Sequence, residues 1–295
     1  MANLKAIRQR IKSVQSTQKI TRAMRLVAAA KVRRAQMRVQ ADRPFTQAVV
    51  RVLREVVAEV SPVDLQGLPL LHKHAQIKKV ALIVLSSDRG LCGGYNTTVF
   101  REVINRITEL QSQGKEVGLI LVGLKAASFF RSFKVEKLKS YTLLPAIPTV
   151  EEAKLIAGYA ADLYTEGKVD AVEIIGTDFI SLLRSQVVIT KYLPVELPEA
   201  MDRPTTLSPL RLFEPSINEV TEDELLAKYV DNVVFQALLE AAASELAARM
   251  NAMTNASNNA RDLISSLTLV YNKARQAAIT QELLEIVGGA EALKG

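Results

Sequence analysis

The chain has 295 residues, room for about two domains. Hydrophobic residues make up 48% and charged residues 23%, which excludes a disordered tail. One cysteine excludes an internal disulfide, two histidines starve most zinc and His-based catalytic sites, and the absence of Trp leaves little for base stacking despite a net charge of +7.

Residues 1–60 carry 14 Lys/Arg against 3 Asp/Glu, with no Gly and a single Pro, Pro44. The opening MANLKAIRQR lacks the apolar core of a signal peptide, and no run reaches the roughly 20 apolar residues of a membrane span. A cytoplasmic, reduced protein is therefore expected. Leu4, Ile7, Ile11 and Val14 recur at spacings of three and four, and Ile20, Met24 and Val27 resume after a shift of phase. This reads as a long amphipathic helix, kinked or broken at Pro44. Its cations spread around the helix and suit nucleic acid, acidic lipid or an acidic protein surface.

The middle of the chain alternates strands and helices. Strands are predicted at Lys79–Leu85, Val117–Val122 and Ala171–Gly176, with an edge or antiparallel strand at Ser185–Leu193. Helices are predicted at Thr98–Leu110, Lys125–Phe133 and Glu151–Glu166. The pattern is that of a parallel or mixed sheet with helices on its faces. SSDRGLCGGYN, Ser86 to Asn96, lies where a phosphate loop would sit, yet neither G-x-x-x-x-G-K-[ST] nor G-x-G-x-x-G is present. A tight turn is the better reading. Cys92 lacks a visible base, so a packed thiol is expected. His72 and His74 are one pair in a loop, too few for a metal site. Five prolines between 194 and 215 indicate an extended linker.

Residues 216–287 contain neither Gly nor Pro. So long a stretch implies a coiled coil or helical array. Its seam is predicted at Leu226, Tyr229/Val230, Val233 and Ala237, and again at Leu263, Leu267, Val270, Ala274 and Ala277. Thr221 and Glu224 form a capping-box pattern at the start, and Gly288-Gly289 supplies an end. Residues 210–295 hold 7 Lys/Arg and 12 Asp/Glu, opposite in sign to the N-terminal arm. The expected fold class is α/β with long helices: an antiparallel coiled coil of the N- and C-terminal helices with an inserted Rossmann-like α/β domain. The segments are 1–60, 61–215 and 216–295.

Four segments together carry a resemblance: IRQRIKSVQSTQKITRAMRLVAAAKVRRAQ, SSDRGLCGGYN, ASELAARMNAMTNASNN and LVYNKARQAAITQELLEIVGGA. In order and separation the chain resembles the gamma-subunit family of rotary F-type ATP synthases along its whole length. The resemblance implies a central rotor shaft that couples proton-driven rotation of a membrane ring to conformational change in catalytic subunits. It implies no cofactor, metal or catalytic residue in the chain itself. Its implied partners are the alpha and beta subunits, the epsilon subunit and the membrane-embedded c-ring, with no nucleic acid and no small-molecule substrate. By similarity, Arg22, Met24 and Arg25 match a segment facing a beta-subunit loop. Arg249, Gln276 and Thr280 match positions that contact that same loop, with Arg275 beside them. Arg89, Gly90, Leu91, Cys92, Gly93, Gly94 and Tyr95 resemble the lower part that meets epsilon and the ring. MRLVAAAKVRRAQ looks closest to photosynthetic members. Chloroplast members carry a cysteine pair in an extra segment after the region equivalent to 192–215, and that region is short and Cys-free here. The implied location is the cytoplasmic face of a bacterial inner membrane, or a thylakoid membrane, as a peripheral subunit.

Overall fold

The computed structural model describes residues 4–59, 68–74, 76–196 and 225–292. The capping pattern expected at Thr221–Glu224 and most of the Pro-rich linker lie outside the described residues. Helix α1 is Leu4–Glu59. It runs through Pro44 without a break. The missing N–H leaves one carbonyl of the preceding turn unpaired, at about 3 kcal/mol. Packing on both sides offsets this, since Val39 and Leu53 are both buried.

The remaining elements are β1 (Lys79–Leu85), α2 (Tyr95–Ser112), β2 (Glu116–Val122), α3 (Leu124–Phe129), β3 (Glu136–Tyr141), α4 (Val150–Thr165), β4 (Ala171–Phe179), β5 (Ser185–Leu193) and α5 (Ala227–Ala292). α5 continues through Gly288 and Gly289 rather than stopping there. Each glycine costs about 1 kcal/mol against Ala in a helix, too little to stop a long one.

The chain divides into two compact units, Met1–Ala29 with Arg249–Gly295, and Ala30–Ala248. Both boundaries cut through the long helices, not between helix and domain as the sequence segments suggest. The reason lies in the packing of the second unit. Its five-stranded sheet has the order β3-β2-β1-β4-β5, with β1 to β4 parallel and β5 antiparallel on one edge. Alternate residues of β1 point to opposite faces. Val80, Leu82 and Val84 meet α2 and the residues after α3 through Val99, Val103, Ile107 and Phe130. Ala81, Ile83 and Leu85 join a second core with α4, but also with Val32, Ala35 and Val39 of α1 and Val230, Val234 and Leu238 of α5. These parts of both long helices thus belong to a layer of the α/β sandwich. Here they run antiparallel: Asn232 donates to Thr46 at 2.6 Å, and Arg43 to Glu240 at 3.2 Å. Burying each large aliphatic side chain contributes about 1.5–3 kcal/mol.

β3 has no counterpart in the predicted strands. Its sequence, EKLKSY, is polar and mostly exposed, as suits an edge strand protected by charge. Backbone pairing with β2 defines it, and pairing leaves no apolar signal.

In the first unit the seams differ from those expected. On α1 the sheltered positions include Leu4, Ile7, Ile11, Val14, Gln18, Thr21, Met24, Arg25 and Ala28, so Met24 is in the seam as expected. The spacing of three and four never shifts, because polar residues, Gln18, Thr21 and Arg25, share the seam while Ile20 and Val27 are exposed. Buried Thr21 satisfies its hydroxyl by donating to the Gln18 carbonyl at 3.0 Å. On α5 the sheltered row is Ala260, Ile264, Leu267, Tyr271, Ala274 and Ala278. Leu263, Val270 and Ala277 face outward instead.

Candidate functional site

The turn after β1 is held from within. Asn96 receives the Ser87 backbone N–H at 3.1 Å and donates to the Ser87 hydroxyl at 2.7 Å and to Cys92 Sγ at 3.3 Å. Leu91 and Gly93 take left-handed backbone, φ 64° and 60°, which folds the chain back before α2. Cys92 and Tyr95 are consequently interior. Of the seven predicted turn residues, five reach the surface: Arg89, Gly90, Leu91, Gly93 and Gly94. Cys92 and Tyr95 hold the turn rather than face a partner.

Asp88 was not singled out by sequence, though it stands inside the quoted motif. Its Oδ1 accepts the backbone N–H of Leu124 at 2.8 Å and of Leu143 at 3.0 Å. One carboxylate so fastens the loops that follow β1, β2 and β3. A leucine is exposed beside each of these junctions: Leu91, Leu124 at the start of α3 and, at 80% exposure, Leu143. Gly123 permits the junction, with φ 98° and the Ser86 carbonyl oxygen 2.4 Å from where a Cβ would stand.

The carboxyl end of the sheet at β1 and β4 is where a doubly wound fold would take a ligand. α5 covers this place. Glu240 accepts the Phe179 backbone N–H at 2.7 Å, at the end of β4. Burial pushes the Tyr95 phenol far above its ordinary range, and the nearby charges of Glu245 and Cys92 add to the effect. The Glu245 carboxylate of α5, close to Tyr95 at the start of α2, opposes a phosphate group rather than attracting one. A Cys–His pair is not assembled either. Tyr164, at the end of α4, donates its hydroxyl to the His72 carbonyl and meets the His74 ring at 5.1 Å. That places both histidines at the amino end of the sheet, the length of β1 away from Cys92. Among the described residues no group of three or more His, Cys, Asp or Glu could hold a metal ion. No described helix is long and apolar enough to cross a membrane.

The seven predicted coil residues all fall in the first unit. Arg22, Arg275, Gln276 and Thr280 are exposed, and Met24, Arg25 and Arg249 are half-buried. Thr280 donates to the Gln276 carbonyl at 2.9 Å, so these two share a helix face one turn apart. Arg249 does not join them. It precedes Gln276 in one continuous helix, and the rise of 1.5 Å per residue sets them about 40 Å apart. Arg249 therefore stands at a second level on the helix. Around the predicted residues stand exposed aliphatic side chains the sequence analysis did not select: Leu26, Ile279, Leu283 and Leu284.

Comparison with known proteins places these features in a family. A family model described as ATP synthase matches residues 3–293. A relative from Nostoc sp. (strain PCC 7120), called ATP synthase gamma chain, is 48% identical over 99% of this chain and all of its own length. One of the same name from Thermosynechococcus vestitus is 46% identical with both chains fully covered. These alignments run over 317 and 321 positions, so both relatives carry stretches without a counterpart here. Among solved structures, the central stalk and c-ring of the Tetrahymena thermophila mitochondrial ATP synthase contains a chain of TM-score 0.60 and 26% identity. It covers 81% of this chain and 99% of that one. A chain of the Euglena gracilis mitochondrial enzyme, in an assembly of OSCP, F1 and c-ring, has TM-score 0.63 at 19% identity, covering 98% and 94%. At that identity it speaks for the fold alone.

Proposed function

Since the chain belongs to the ATP synthase gamma-chain family, we infer that it is the central shaft of that rotary complex, coupling rotation to ATP synthesis or hydrolysis without catalysing either step itself. The observation that carries this reading is the exposed apolar surface of α5. Leu263, Val270 and Leu284 repeat at multiples of seven beside the sheltered seam, and Ile279 and Leu283 lie on another face, all of them outward. An apolar surface of that extent is partner surface. The partners proposed are the alpha and beta subunits around the coil, with the epsilon subunit and c-ring below. The location proposed is the cytoplasmic face of a bacterial inner membrane, or a thylakoid membrane.

Coupling needs contacts that differ between rotary states, since a ligand or partner that meets every state equally shifts nothing. Arg275, Gln276 and Thr280 form one set of polar contacts to a beta subunit. Arg249 forms another, lower on the same helix, and Arg22, Met24 and Arg25 a third on α1. The surface of the 89–95 turn, with Leu91 foremost, is proposed to meet epsilon or the ring.

The test is reconstitution of the purified chain with alpha and beta subunits, followed by ATPase measurement. Activity that depends on this chain supports the shaft. Arg249→Ala and Gln276→Ala are each expected to lower it about tenfold, and the losses should multiply, since groups this far apart act independently. A double variant no worse than either single one would return both residues to a shared contact. No dependence on the chain, with folded partners, would sink the shaft itself.

A further inference from the structure

We propose that Glu240 is the fastening point through which torque passes between the α/β domain and both long helices. The proposal rests on the shaft reading and adds the residue that makes the shaft rigid at its root.

The carboxylate is almost fully buried yet joins three elements. One oxygen accepts the Phe179 N–H at 2.7 Å, at the end of β4. The other accepts from Arg43 of α1 at 3.2 Å, and Glu240 itself stands on α5. Arg43 is half-exposed and Glu240 only 7% exposed, so the charge is shielded on one side and neutralised on the other. The neighbouring Asp178 registers it: its carboxyl is raised, by burial first and then by repulsion from Glu240.

The load explains why a polar junction belongs here. Torque between a sheet and helices lying on it is a shearing load. The aliphatic layer of Val230, Val234 and Leu238 against the sheet is non-directional and resists separation more than sliding. Hydrogen bonds weaken steeply with angle, so they resist sliding. Glu240 clamps the end of a central strand, and Phe179 is the last residue of that strand before the turn. One helical turn on, the buried Ser244 hydroxyl has no hydrogen-bond partner among the described residues. The Tyr192 hydroxyl of β5 also bonds α5, at the Val230 carbonyl (3.2 Å), whereas Glu240 ties both β4 and α1 to α5 through one carboxylate.

The experiment uses the whole complex, stalled with the catalytic ring fixed. A bead is attached to the α/β domain through Leu183→Cys, an exposed side chain in the β4–β5 turn. Native Cys92 is buried and spared the label. The readout is the angular variance of the bead. Glu240→Ala removes both bonds and should raise the variance at least twofold. Glu240→Gln keeps an acceptor for Phe179 and should raise it less, as should Arg43→Ala. Leu238→Ala loosens packing at the same interface and should leave it near wild type. If Glu240→Ala fails to assemble, the Gln and Arg43 variants decide. Unchanged variance in both, or an equal rise in Leu238→Ala, overturns the proposal. A wild-type complex that hydrolyses ATP without rotating overturns the shaft reading and this proposal with it.

Discussion

Between Tyr229 and Thr254 no residue of α5 is exposed, whereas from Asn255 onward most residues are. The first stretch is mostly apolar and sheltered all round, with its polar Asn232 and Glu240 bonded to α1. That is the composition of a helix inside a domain. The second stretch shelters a single row and leaves leucine, isoleucine and valine outside. One helix therefore has an interior part, complete within this chain, and an outer part whose apolar surface is incomplete without partners. Folding energetics govern substitutions in the first, and assembly governs those in the second.

The sharpest way to break that contrast is at the sheet. Gly123→Ala forces a Cβ onto the Ser86 carbonyl at a positive φ and should destabilise by about 3 kcal/mol or more. Urea unfolding of the purified chain measures it, and a loss below about 1 kcal/mol would mean that the junction yields. Next comes Arg106, which bonds Glu173 at 2.8 Å through Nε and again through Nη2. Glu173 is buried in β4, so Arg106→Leu leaves a lone interior charge and should cost about 3 kcal/mol. Adding Glu173→Leu should recover most of it; if the double variant is as weak as the single, the pair is a packing element only.

A third comparison sets interior against outer helix surface directly. Ala35→Leu overfills a fully buried position on α1 and should cost about 2 kcal/mol in the isolated chain. Val270→Ser, half-exposed on α5, should stay within about 0.5 kcal/mol yet weaken assembly with alpha and beta subunits. Unimpaired assembly would remove Val270 from the partner surface. The smallest effect is expected at Gly288→Ala, with open space around the added methyl, which should stabilise the end of α5 by about 1 kcal/mol. Hydrogen exchange of the last turns would show it as slower exchange.

Reading of the sequence succeeded where one residue type can hold only one place. The run KVALIVL is a central strand because it is apolar on both faces, and β5 is recognisable as an edge from its alternation. It missed β3 because Glu136–Tyr141 is defined by pairing with β2, and pairing is blind to side-chain polarity. The phase shift placed in α1 arose from requiring every seam residue to be apolar, when Gln18 and Thr21 occupy the seam with their polar atoms free to bond. Within the turn after β1, GLCGG announced a tight bend but said nothing of Asp88, whose partners Leu124 and Leu143 lie far along the chain.

The sequence by itself determined that two long helices flank an alternating α/β region, that no phosphate motif follows β1, and which family the chain resembles. These rest on local spacing and composition, which each segment carries alone. Only the tertiary structure decided which of two adjacent apolar rows on α5 is sheltered, that Cys92 and Tyr95 face inward, that Arg249 and Gln276 stand at different levels, and that Glu240 meets both β4 and α1. A helix with apolar residues on neighbouring rows can turn either one inward at similar cost. The packing partner makes the choice, and that partner lies some two hundred residues away.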